Sequence, residues 1–453
     1  MVHLKQPQLS GLGQNPAAPT GLLVRLAAHA AGRHGLLTRE GRLPDAVAEA
    51  LLVHGRGDAA IRLRGHRVSP AMRRRIAGHP DPAIRDAHPD FVRGAVERGL
   101  GPGVDALVET YGRSPAELAA DPDPKLRAVI AQDWHDRPAA VQKALLTDPD
   151  PGVRSSAARA ERPGVPPELH ERCLADPAVR AAIAHRLPLT PAQFDRLVAT
   201  GDEAVLHAVA RNPYLTAAMV ARLQDGADPS VRVAVAYSRH TTPENRDRLL
   251  ALVEAGSAAG DIESEIALHW SPHRPDWLRD APLAERLTYL NCPHAVFRRT
   301  LAESADLPDE AWRQLDDDPD PSVRYAAALR PGTPAAVLLR LAREHGDPST
   351  TRPPLVRHPN FPRQELRGFA DAPNPRLRLL ALEDPRLPVA VLRRLGECEE
   401  PFLRAGVARH PHISADLLER LLADPDPDVT HHAAANPALS GARMDRITTE
   451  AGL

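Results

Sequence analysis

One phrase returns along this chain at a nearly constant interval, and that interval restricts the fold more than any other feature. Leu126-Arg127-Ala128-Val129-Ile130, Val153-Arg154-Ser155-Ser156-Ala157, Val179-Arg180-Ala181-Ala182-Ile183, Val205-Leu206-His207-Ala208-Val209 and Val231-Arg232-Val233-Ala234-Val235 begin 27, 26, 26 and 26 residues apart. The phrase comes back at Val323, Thr351, Leu377, Leu403 and Val429, with steps of 28, 26, 26 and 26. A period of roughly 20–50 residues marks a repeat array, in which each unit is one supersecondary element that buries its apolar face only against its neighbours.

The residues around the phrase say what the element is. Asp123, Asp150, Asp176, Asp202, Asp228, Asp320 and Asp426 stand three residues before it, usually followed by proline. An aspartate carboxylate accepts from the free amides of a first helical turn, and proline at the first helical position forfeits no hydrogen bond. The phrase then places Val179, Ala182 and Ile183, and their counterparts, on one helical face. Pro213, Pro331, Pro359, Pro385, Pro411 and Pro437 stop this first helix after two to three turns, several of them after Asn212, His358, His410 or Asn436. Ser69, Ser114, Thr190, Thr216, Thr242, Thr333, Ser414 and Ser440 then predict the cap of a second helix. In that helix Leu417, Leu418, Leu421 and Leu422 have the spacing of a half-buried face. Neither helix is long enough to stand alone, so the units must stack.

The sequence thus predicts an all-α chain of about fourteen helix pairs, each of roughly 26 residues. Residues 1–14 read as an N-terminal tail and 15–450 as a single array, irregular at 253–302 and with an insertion at 344–351. Composition agrees: 47 prolines among 453 residues punctuate short elements, and 3% aromatics leave Ala, Val and Leu to build the core. A net charge of −2 and a pI near 6.9 argue against nucleic-acid binding by bulk charge. Cys173, Cys292 and Cys398 lie too far apart for a C-x-x-C motif, and no signal-peptide core or membrane-length apolar run occurs, so a cytoplasmic protein is expected.

Asp148-Pro149-Asp150-Pro151-Gly152-Val153-Arg154 and its Ala-rich helix resemble HEAT-like repeats. Arg211-Asn212-Pro213 and Leu338-Leu339-Arg340-Leu341-Ala342 are closer in phrasing to the leucine-rich repeat variant family. That resemblance implies a right-handed α-solenoid and says little about activity, because such arrays are scaffolds. An iron–sulfur domain known in the family needs four clustered cysteines, which this sequence lacks.

Chemistry-bearing motifs are sparse. No nucleotide-loop, zinc-protease or nucleophile-elbow signature occurs, and neither catalysis nor a cofactor is expected. His269, His273, Cys292 and His294 are of metal-ligand type, but Pro272 spoils their helical pairing; these histidines and those at helix stops read as solvated or capping. Arginine is more regular. One column, with Arg154, Arg180, Arg232 and Arg324, reads as a structural ladder in which Asp148 and Asp150 pair with Arg154. A second column on the second helices, Arg196, Arg222, Arg248, Arg340, Arg394 and Arg420, has no regular acid in its own helix and is the candidate binding stripe. The expected function is non-catalytic binding of a protein or acidic-peptide partner. The alternatives are a HEAT-like nucleic-acid protein of the glycosylase kind, with Trp270, Trp277 and Trp312 as the region to inspect, and a HEAT-like lyase.

Overall fold

Short helices alternate with tight turns along the computed structural model, which describes residues 6–63, 67–226, 228–269, 274–304, 306–346 and 354–453; among them there is no strand. First helices include Pro151–Arg159, Glu203–Ala210, Pro229–Ala236, Pro401–Arg409 and Pro427–Ala435, and second helices include Ala139–Leu146, Pro191–Val198, Ala217–Leu223, Val389–Leu395 and Ala415–Leu422. Their starts have the expected chemistry. Asp150, Asp202, Asp228 and Asp426 accept from the amides of Val153, Val205, Val231 and Val429 at 3.0, 3.3, 2.9 and 3.2 Å. Ser114 with Glu117 and Thr190 with Gln193 form capping boxes, while Ser69, Thr216, Thr242 and Ser440 cap singly.

Two expected caps are not made. Thr333 is fully buried, and its hydroxyl donates backwards to the carbonyls of Ala328 and Arg330 at 2.9 and 2.8 Å, satisfying the end of the preceding helix. Ser414 likewise makes no capping bond.

The phrase residues Val153, Ala157, Val205, Val209, Val231 and Val235 are buried, as are Leu417, Leu418, Leu421 and Leu422. Each such aliphatic side chain contributes roughly 1.5–3 kcal/mol by leaving water. One continuous cluster of them runs from Ala131 to Ala267.

Contacts divide the chain into two compact units, Val92–Ala327 and Met1–Phe91 together with Ala328–Leu453. Within the second unit, residues 7–14 are not the tail expected for them. Pro7–Gln14 is a helix with Leu9, Ser10, Gly11, Leu12 and Gly13 buried, and it packs on the last first-helix, Pro427–Ala435. A ladder of side chains explains why. At the stop of several first helices an Asn or His reaches back to the free carbonyls of the preceding repeat. Asn212 Nδ2 donates to Ala184 and Leu187 at 2.6 and 2.7 Å, and Asn436 Nδ2 to Ala408 and His410 at 2.7 and 3.1 Å. Asn15 takes the next place, with Nδ2 donating to Ala434 and Asn436 at 2.9 and 2.7 Å. Asn15-Pro16 is therefore the stop of a first helix, and the repeat that opens the chain stacks on the one that closes it.

In the irregular segment the second helix lengthens to Pro243–Ala258, and Ile262–His269, Trp277–Asp280, Leu283–Leu287 and Ala295–Ala302 follow. An aromatic cluster seats it. Tyr237 and Tyr289 each pack on Phe297, and the buried Arg246 guanidinium lies 4.4 Å from the Phe297 ring centre and 5.2 Å from that of Tyr289. Residues 347–353, most of the expected insertion and with it Thr351, lie outside the described residues. No described helix is long and apolar enough to cross a membrane.

Candidate interaction surface

Three columns of arginine run along the repeats, and the structure separates them by what each guanidinium already holds. The first is a ladder between repeats, but its direction is the reverse of the expected one. Arg154 pairs with Asp176 of the following repeat, at 2.5 Å, and from its own repeat uses only the backbone carbonyls of Asp148 and Pro149, at 2.9 and 3.0 Å. The Asp148 carboxylate instead receives Arg127 of the preceding repeat through two bonds of 2.8 Å, and it accepts the Asp150 amide at 2.9 Å. Arg298 with Asp318 and Arg404 with Asp424 repeat the forked arrangement, and Arg180 with Asp202 is a looser case at 3.5 Å. Arg232 and Arg324 hold the turn before their helices through the carbonyls of Gly226 and of Asp318 and Pro319. In each Asp-Pro-Asp-Pro turn, then, the first aspartate ties down the repeat before and the second caps its own helix.

The second column is not an unpartnered stripe. Arg196 reaches Glu171 at 2.6 Å, Arg222 pairs with Asp195, Arg248 lies 3.9 Å from Asp225, Arg394 pairs with Asp371 at 2.5 Å and Arg420 with Glu397 at 2.8 Å. Each acid comes from the preceding repeat, about one period upstream, which is why no partner is visible within the helix itself. Arg340 is also engaged. These pairs differ from the first ladder in exposure: Arg222 and Asp195 are 54% and 51% exposed, Arg127 and Asp148 only 12% and 9%. Exposed pairs contribute about 0–1 kcal/mol, so the second column cancels charge more than it stabilises.

A third column was not anticipated. At the ends of first helices stand Arg159 and Arg211, with Arg162 and Arg186 in the turns that follow, at the pole where a helix dipole favours cations. The side chains of Arg159, Arg162 and Arg211 are exposed and make no hydrogen bond or ion pair among the described residues. Arg186 donates only to the carbonyls of Ala158 and Ala182. These arginines border two hollows of about 710 and 750 Å³ that share Glu161. The hollow of about 710 Å³ also presents His185, Tyr237, His240 and Trp277; Trp277 is fixed by donating Nε1–H to the Tyr237 carbonyl at 2.8 Å. Burial pushes the His185 imidazolium below its usual range, and the Arg186 and Arg211 charges push it further. Four arginines, Arg186, Arg211, Arg239 and Arg274, line this hollow against the carboxylates of Glu161 and Asp276. The signal in the sequence was faint, an arginine five residues beyond the phrase's second position at Arg159, Arg211, Arg357 and Arg409 only.

The other candidates resolve into structure. His273 and Trp270 lie outside the described residues. Cys292 is buried, with its thiol pushed up by burial, and His294 pairs with Asp247 at 2.8 Å. His358 and His410 are not solvated: His410 is 2% exposed, lies with Nε2 3.0 Å from the Asp384 carbonyl, and accepts the His412 amide at 3.2 Å on Nδ1. Glu203, His207 and Asp228 come within metal-holding reach of one another, yet His207 stands beside the column position held by leucine and keeps the ladder to Asp228 at 2.9 Å. Trp312 is a core residue.

The fold and these ladders define an all-helical protein built of short repeats. Residues 401–426, one repeat from its capping proline to its next capping aspartate, match the family model described as leucine rich repeat variant. No curated protein matches the chain.

Proposed function

We propose that this chain is a non-catalytic interaction scaffold, a right-handed array of about fourteen units that binds a protein partner of acidic character. The observation that supports this reading is the contrast among the columns. Two are engaged by the protein's own carboxylates and carbonyls, and Arg159, Arg162 and Arg211 of the third border open hollows with no such partner among the described residues. Guanidinium groups held in a concave surface suit carboxylate or phosphate groups, and the flanking Tyr237 and Trp277 offer apolar area beside them. The second-helix arginines are less suited, because a partner there would first have to displace a bound carboxylate.

Photo-crosslinking in the native host tests the reading, with the crosslinker placed at Gln132 or Ser238 on the rim of the hollows. A defined protein captured by the wild type and lost in an Arg159→Glu, Arg211→Glu variant is the expected result. Capture of nothing above background removes the proposal. Capture of nucleic acid, with binding that falls steeply with salt, replaces it with the nucleic-acid alternative.

A further inference from the structure

Resting on that reading, we propose that the hollow between Arg186 and Arg211 is a recognition site for one oxyanion of an extended peptide, a carboxylate or a phosphoester, with the neighbouring peptide residue against Trp277. The geometry is that of an unfinished site. Nη2 of Arg186 is taken up by the carbonyls of Ala158 and Ala182, which fixes the guanidinium, while Nε and Nη1 make no hydrogen bond among the described residues. Arg211, at the end of the next first helix, has its whole guanidinium uncommitted. Two cations on adjacent repeats thus face one hollow of about 710 Å³, against the carboxylates of Glu161 and of Asp276, the latter already paired with Arg279 at 3.0 Å.

The rest of the rim is already satisfied and supplies shape. Arg239 is tied to Glu285 at 3.0 Å and lies 5.8 Å from the Trp277 ring centre, and Arg274 is held by Glu303 at 3.2 Å. Asn212 Nδ2 is consumed by the carbonyls of Ala184 and Leu187. A charge-assisted bond is shorter and about twice as strong as a neutral one, so an oxyanion gains most where donors are fixed and unshared.

Fluorescence anisotropy of the full chain with three labelled peptides of one sequence tests this, the central residue being Glu, phosphoserine or Gln. Saturable binding of the Glu or phosphoserine peptide at least tenfold tighter than the Gln peptide, with quenching of tryptophan emission that Trp277→Phe abolishes, is expected. The stronger of the two acidic peptides then names the oxyanion. Arg211→Gln should weaken that binding about tenfold with the melting curve unchanged, since exposed unpaired charges contribute little to folding. Arg186→Lys, which keeps the charge but loses the planar fork, should weaken it too. Equal affinity for all three peptides, or binding indifferent to Arg211→Gln, overturns the site. The two readings fail separately. Peptide binding without a partner in the host leaves this site standing and the scaffold proposal lost; a partner crosslinked elsewhere does the reverse.

Discussion

At the scale of single residues, periodicity both reveals and conceals. Asp148 lies six residues before Arg154 and twenty-one after Arg127. In a sequence with a period near 26 the two offsets fall in the same column, so the acid partner is legible but its repeat is not. The double-mutant cycle separates them. Asp148 with Arg127 should show a coupling of about 1–2 kcal/mol, and Asp148 with Arg154 a value near zero, because Arg154 uses only the Asp148 backbone carbonyl. The reverse order of couplings would restore pairing within the repeat.

Acid should act in two stages. Burial first, then the Arg409 and His431 charges, lowers His432 to about 4, and burial also lowers His410. A histidine kept neutral in the fold binds its proton first in the unfolded chain, at about pH 6.5. Stability is therefore complete above that pH and falls as pH drops toward 4. Asp176, held below the usual carboxylate range by the Arg154 hydrogen bond against an opposing burial effect, contributes stability above about pH 3.9 that is lost as pH falls further. A urea midpoint that declines between pH 6.5 and 4.5, and declines less in His432→Gln, is expected. A flat midpoint over that window would mean these imidazoles are solvated.

At the scale of elements, starts and stops were the most legible features, since a cap is a local bond between neighbours in sequence. Asp150, Asp202, Asp228, Thr190 and Ser114 all do what their types suggest. Pro7–Gln14 escaped because two glycines in eight residues look like a tail, and glycine is the poorest helix former after proline. The glycines answer to packing instead. A Cβ on Gly11 would overlap the His431 carbonyl and stand 2.8 Å from the Ala434 Cβ, whereas one on Gly21 would meet nothing within 4 Å. Gly11→Ala should destabilise by about 1–3 kcal/mol through overpacking, and Gly21→Ala should be neutral or mildly stabilising. Calorimetry that finds both neutral would mean the helix does not sit on Pro427–Ala435. The third arginine column escaped for a related reason: a repeated residue says that a position matters, and only coordinates say whether its charge is already answered.

At the scale of the molecule, the account rests on repeats that hold one another through buried aliphatic faces, a forked Arg–Asp ladder and an Asn or His ladder, with Asn15 carrying the last of these from the closing repeat to the opening one. Stability in such an array is a sum over neighbours, so removing one repeat should loosen the next most and distant ones least. Hydrogen exchange on the chain lacking residues 1–14 measures this directly. Amides of Pro427–Ala435 and Gly441–Glu450 should lose protection by tenfold or more, while those of Pro151–Arg159 and Pro229–Ala236 keep theirs. Unchanged protection at Pro427–Ala435 would contradict the account.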